Sequence, residues 1–331
     1  MSLAEIRAKL LAQEEKKSGN TKSTGGGDNT IFPHWNIPEG ATATVRFLPD
    51  ADETNTFFWV ERQMINLEFP GVKGQDEHKP VTVKVPCMEM WNETCPVHTE
   101  IRPWFKDPNL EDLARKYWKK RSYIFQGFVT DDGGLDEEKP ENPIRRFVIS
   151  PQIYKAISSA LMDPDFPELP TDYEAGTDFK INKTKNGQYS NYGTSAWARR
   201  ERSLNQEERD AIATHGLFNL SEFLPKKPNA EELQAIAEMF EASVDGQLYD
   251  PERWADYYRP WGVDKPESST PRVAAPAPAP KAAPAPAPVV DEDEPPFEAD
   301  EPAPAPKAEA PAGDGAKPSA QDILAAIRNR K

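Results

Sequence analysis

The sequence predicts a mainly β domain with interspersed helices, set between a short N-terminal arm and a long unstructured C-terminal tail. Three observations lead there. Short segments alternating apolar and polar residues recur through the first two thirds of the chain, separated by turns bearing Gly, Pro and Asp. A thiol and imidazole cluster, Cys87 to His98, sits inside that region. Beyond Pro271 the chain becomes Ala-Pro repeats, an extended polymer with no way to bury a core.

Residues 1–30 form the arm. Ser2-x-x-Glu5 is a capping-box pattern, and Leu3, Ile6, Leu10 and Leu11 share one helical face. So short a helix is marginal alone and needs a surface to dock on. A basic, hydroxyl-rich link follows from Lys16 to Gly27.

The globular part spans 31–264. Residues 41–49 alternate as a strand, 56–62 read as its successor, and 81–85 lead as a third strand into Cys87. A helix is expected from Asn109 to Trp118. Residues 122–129 and 144–149 read as paired strands around an acidic loop. Ser150 to Leu161 reads as a helix, with Ile153, Ile157 and Leu161 at four-residue spacing, and 179–183 as a strand turning at Asn186-Gly187. Several short strands around one helix fit a small OB-like Greek-key barrel, with a metal-binding subdomain around 78–98 inserted at one side. From Ser203 to Tyr258 the pattern is helical and acidic, and Trp254, Tyr257, Tyr258 and Trp261 are expected to pin it back on the barrel.

In the metal stretch, Cys87 and Cys95, the only cysteines, are followed by His98 in a C-x7-C-x2-H pattern. Two residues between Cys95 and His98 let both side chains face one ion. Soft sulfur and borderline nitrogen donors suit a single structural zinc ion. A closed site wants a fourth ligand; His78 is the first candidate and His34 the reserve. The competing reading is two inert buried cysteines beside an unrelated histidine. Two cysteines make no disulfide framework, which fits a reducing compartment. With no apolar run near the roughly 18 residues of a membrane span, a soluble cytoplasmic protein is expected.

Net charge is −15, an unfavourable total for a polyanion partner, but it is unevenly spread: +1 over residues 1–30, −13 over 31–264 and −3 over 265–331. Within the acidic middle lie basic islands. One is Arg115, Lys116, Tyr117, Lys119, Lys120, Arg121 and Tyr123. Another is Lys180, Lys183, Lys185, Tyr189, Tyr192, Trp197, Arg199, Arg200 and Arg202; Arg145 and Arg146 lie on the strand between them. Cations track phosphates while flat rings stack unpaired bases without selecting among them, which is what sequence-tolerant single-strand binding needs. The competing reading places the rings in the core and the cations on a solvated face.

These pieces also carry a resemblance. Gly40 to Pro49, Cys95-Pro-Val-His98, Lys119 to Tyr123 and Tyr189 to Tyr192, over about half the chain, resemble in kind and order the single-stranded DNA-binding, helix-destabilising proteins of T-even-like bacteriophages. The resemblance implies an OB-fold core with a zinc subdomain. It implies stacking by Tyr123, Tyr189 and Tyr192, phosphate contacts by Lys119, Lys120 and Arg121, and an arm that makes self-association along DNA cooperative. An acidic tail would recruit replication and recombination proteins, in the cytoplasm of an infected bacterial host. The chain departs from the family in carrying His98 where a last cysteine is usual. Its tail holds seven acids and one Phe between Asp291 and Glu301. It then ends in an expected second amphipathic helix, basic and capped, Ser319 to Lys331, on Ile323, Leu324 and Ile327.

Two other functional classes compete. A zinc hydrolase needs an open coordination position and a positioned base, and no H-E-x-x-H helix is present, so no enzyme is expected. An RNA-binding or strand-annealing protein is the nearer alternative, because a stacking cleft tolerates either sugar.

Overall fold

In the computed structural model of the chain, residues 30–263 are described, apart from 76, 136, 138, 165–168 and 188. The expected arm helix, the acidic run and the terminal helix lie outside the described residues.

One long strand, Lys120–Asp131 (β4), organises the sheet. Strand Val60–Phe69 (β2) pairs with its first half, Met64 opposite Lys120, and strand Thr42–Phe47 (β1) with its second half, Phe47 opposite Gly127. Strand Ile144–Ile149 (β5) lies along the other edge, Tyr123 opposite Ile149. A side chain at residue 127, where β1 has taken over from β2, would overlap the Arg46 carbonyl, so only Gly permits so close an approach. Strand Val81–Pro86 (β3) extends the sheet beyond β2, and strands Thr177–Asn182 (β6) and Ala196–Glu201 (β9) extend it beyond β1. Every pairing between these strands is antiparallel. Strands Thr184–Asn186 (β7) and Tyr189–Asn191 (β8) form a separate hairpin, turning at Gly187 with φ 62° as the Asn-Gly pair predicts. The hydrogen-bonded path runs from β3 to β9 and does not close into a ring, so what stands is a mainly antiparallel β fold with helices.

The expected strand at 56–62 starts only at Val60. Asn55 donates to Asp50 and to the Trp59 carbonyl and accepts from the Phe57 amide, which bends the chain before pairing begins. The expected helix at 109–118 contracts to Glu111–Lys116 (α2), following helix Pro96–Ile101 (α1). Helix Pro151–Leu161 (α3) matches its expectation, capped by Ser150 accepting from the Ile153 amide. Helices Gln206–His215 (α4) and Ala230–Val244 (α5) both open on capping boxes, Asn205 with Glu208 and Asn229 with Glu232.

Alternation and register place Ile65, Leu67, Val83 and Val85 on the same sheet face as Tyr123, Phe125, Phe147 and Phe47. The first group packs with α1, α2 and Ile236, Met239 and Phe240 of α5; the second with Ile153 and Ile157 of α3. Glu61, Gln63 and Arg121 lie between the two packed patches on this face. On the opposite face Leu48, Phe128 and Ile144 meet Leu204 and the α4 segment. There Arg46, fully buried, donates to the Asp172 and Arg202 carbonyls at 2.7 and 2.8 Å and pairs with Asp178. Trp254 and Tyr258 pack back against the β2–β3 side as expected, whereas Trp261 stays half exposed. No helix among the described residues is long and apolar enough to cross a membrane.

Candidate functional site

Cys87 follows directly on β3. A 3₁₀ turn, Met88–Trp91, ends at Asn92 in the left-handed region (φ 58°), which reverses the chain and returns Cys95 as the N-cap of α1. Pro96 starts the helix and His98 sits in its first turn. The ligand atoms of Cys87, Cys95 and His98 lie within 4.8 Å of one another and all three residues are buried; Cys87 Sγ is 3.8 Å from His98 Nδ1. The imidazole stacks on Trp118 at 4.4 Å, and its Nε2 accepts from the Lys119 amide at 3.2 Å. Nδ1 is therefore the nitrogen turned to the thiols. A hydrogen bond from Cys87 holds the Cys95 thiol down at about 6, while the same sharing and burial push Cys87 up. Two thiols and an imidazole converging in a buried pocket form a donor set that fits a soft or borderline metal ion.

His78 does not join them. It lies on the exposed turn between β2 and β3, and the six residues of β3 separate it from Cys87 by on the order of 20 Å. His34 is not a ligand either. It is fully buried against Trp35 and Tyr192, and burial pulls its pKa down to about 3. Glu89 was missed: it is one residue past Met88 and carries no metal spacing of its own. Its Oε1 lies 2.9 Å from His98 Nδ1, and the carboxylate accepts from Arg102 and from Lys119 Nζ, each at 2.8 Å. Burial pushes the Glu89 carboxyl up, but the hydrogen bonds from Lys119, His98 and Arg102 outweigh it and hold it at about 2.

The first basic island is largely engaged from within. Tyr117 is core, its hydroxyl 2.9 Å from Ser243 Oγ and its ring against Phe240. Lys119 is buried on Glu89. Arg115 pairs with Glu111, Lys116 with Glu68, and Arg121, at 3.5 Å, with Glu61. Lys120 stands opposite Met64 at the start of β4. Tyr123 is 5 % exposed and covered by the parallel ring of Tyr154 at 3.5 Å. Arg145 is buried on Glu137 and the Ile31 carbonyl, and Arg146 lies 3.9 Å over the Phe223 ring. For Tyr117, Lys119, Tyr123, Arg145, Arg146 and also Tyr192, the expectation of a surface contact is corrected: each is buried with an internal partner.

The second island divides. Tyr192 is buried on His34, and Lys183 donates to the Trp35 and Ile37 carbonyls. Lys185 is exposed but faces Glu39 at 3.4 Å. Tyr189, at the tip of the β7–β8 hairpin, is 68 % exposed. Arg199 and Arg200 are exposed and make no ion pair among the described residues. The register explains them: Phe179 pairs with Trp197 but Thr177 with Glu201, so β9 bulges between those pairs and throws both arginines off the ladder.

The structure adds rings from the segments expected as a strand at 56–62 and a helix at 150–161. Phe57, 56 % exposed, packs on Trp59 at 4.7 Å; Trp59 stacks on Phe125 and meets Tyr154 edge-on. Helix α3 joins this group to the hairpin, because Gln152 donates to Asn191 and accepts from the Tyr192 amide. The signal was present in the run Phe57-Phe-Trp59 following an Asp/Asn turn. Comparison with known protein families and with curated proteins finds no match to this chain.

Proposed function

We propose that the protein binds single-stranded DNA without sequence choice and without chemistry, and that Cys87, Cys95 and His98 hold one structural zinc ion. The observation that carries the first part is a pair of exposed rings on either side of α3, Phe57 resting on Trp59 and Tyr189 on the hairpin that Gln152 of α3 holds, with Arg199 and Arg200 exposed on the edge strand β9. Exposed ring faces offer stacking to unpaired bases, and guanidiniums with no ion pair among the described residues offer charge to the backbone. Duplex DNA hides its base faces, and a protein of net charge −15 has no general attraction for it.

On this reading the sheet built on β4 is an OB-like core, and the segment from Cys87 to Lys119 is a zinc subdomain buttressing one side. Zinc would contribute folding free energy there and no reaction. The arm would link neighbouring molecules on one strand, and the tail would recruit replication and recombination proteins. Both assignments rest on the sequence resemblance. Fluorescence anisotropy with an oligo(dT) and a duplex of equal length tests the proposal. It expects tight binding to the single strand and far weaker binding to the duplex. Equal affinities would reject it, and preference for poly(U) over poly(dT) in competition would move the assignment to RNA.

A further inference from the structure

We infer that Glu89 is the fourth ligand of the metal centre, making it a Cys87, Cys95, His98, Glu89 site. The inference rests on the zinc-site reading above and adds the identity of the ligand that closes it. Of the two His98 nitrogens, Nδ1 is the one turned to the thiols, 3.8 Å from Cys87 Sγ, while Nε2 points away to the Lys119 amide, so a metal held by both thiols takes Nδ1. Glu89 Oε1 stands 2.9 Å from that same nitrogen, so it already occupies the metal-facing side of the ring. A neutral imidazole that binds metal through Nδ1 carries its proton on Nε2, so the hydrogen bond to Oε1 and the one from the Lys119 amide are both given up and the carboxylate is left facing the ion. The carboxylate lies on the histidine side of the cluster and must close toward the thiolates to complete a tetrahedron.

Charge favours this closure. Two thiolates, a neutral imidazole and a carboxylate around a divalent ion leave one net negative charge in a buried place, which is costly without a counter-charge. Lys119 Nζ, on a side chain only 8 % exposed, already lies 2.8 Å from the second carboxylate oxygen, and Arg102 donates from the more exposed side. A cation held on a metal-ligating carboxylate is the usual outer shell that orients such a ligand. It also accounts for the burial of Lys119 in a stretch otherwise rich in surface cations.

The test is cobalt(II) titration of the full chain freed of metal, read by absorption. Wild type and H78A should each bind one cobalt with the same tetrahedral d–d spectrum. E89Q should bind at least about tenfold more weakly with a shifted d–d envelope. E89C should raise the thiolate-to-cobalt charge-transfer band by about half, three thiolates replacing two. Far-UV circular dichroism of the metal-free variants separates loss of a ligand from loss of fold. E89Q and E89C spectra superimposable on wild type would overturn the Glu89 assignment while leaving the three-donor site intact. Wild type that takes up no cobalt would overturn both.

Discussion

Two stretches of this chain each carry five cations and three aromatic rings, and only one of them exposes any of its rings and leaves arginines without an ion pair among the described residues. Residues 115–123 and 180–200 both interleave Lys and Arg with aromatic rings. In the first, the rings of Tyr117 and Tyr123 are covered and Lys119 is buried, while Arg115, Lys116 and Arg121 each face an acid. In the second, Tyr189 stands out on a hairpin tip, and Arg199 and Arg200, at the bulge in β9, make no ion pair among the described residues. The difference comes from position in the fold. Arg121 and Tyr123 lie on the central strand β4, and Arg115 to Lys119 on α2 and the turn leading into that strand; Tyr189 lies on the β7–β8 hairpin outside the main sheet, and Arg199 and Arg200 on β9, an edge strand with an irregular register. Density of cations and rings therefore says where charge is concentrated, and position decides whether it can reach a ligand.

The comparison can be broken first at the metal centre, which fixes the region beside β4. C95S should abolish stoichiometric metal binding and cost on the order of 4–5 kcal/mol of stability, read as zinc content and a denaturant midpoint. A pure wild-type protein with well under one metal per chain, and a melting curve indifferent to chelator, would contradict the zinc assignment.

The second region rests on a buried base. His34 packs under Tyr192, and burial holds its pKa near 3, below the ordinary value of about 6.5. The unfolded chain takes up the proton first, so His34 leaves stability whole above about pH 6.5 and lowers it as pH falls toward 3, by up to about 1.4 kcal/mol per pH unit. H34F should flatten that acid limb in denaturant titrations at stepped pH. A limb as steep as wild type would show that other groups control it.

Much of the framework was legible from pattern. The strands of β1, β3, β5 and β6, the Ser150-capped helix, the Asn-Gly hairpin and the grouping of Cys87, Cys95 and His98 all follow from alternation, capping and spacing. What was not legible depends on long-range register. His78 looked close to Cys87 in sequence, but an extended strand carries them apart. Glu89 gained its place only through the reversal at Asn92. Phe57 and Trp59 read as strand residues until the turn at Asn55 held them out of the ladder. No local pattern announces the bulge in β9.

Ring truncations come next in size. Y189A and F57A should each weaken binding to oligo(dT) by about 1–3 kcal/mol per stacked base while leaving the salt dependence almost unchanged. Wild-type affinity in both variants would remove the stacking assignment. Y117A, which empties a core position against Phe240, should instead lower stability by about 3–5 kcal/mol, as read from a denaturant midpoint.

The most direct test is the slope of log affinity against log salt for oligo(dT), measured for wild type, an R199A/R200A double variant and K119A. If the edge-strand arginines are the phosphate contacts, the double variant should lose about 1.4 from the slope, roughly 0.7 for each phosphate no longer neutralised. K119A should keep the wild-type slope, since Lys119 is committed to Glu89. A slope unchanged in the arginine variant and shallower in K119A would contradict this account and return phosphate binding to the 115–123 stretch.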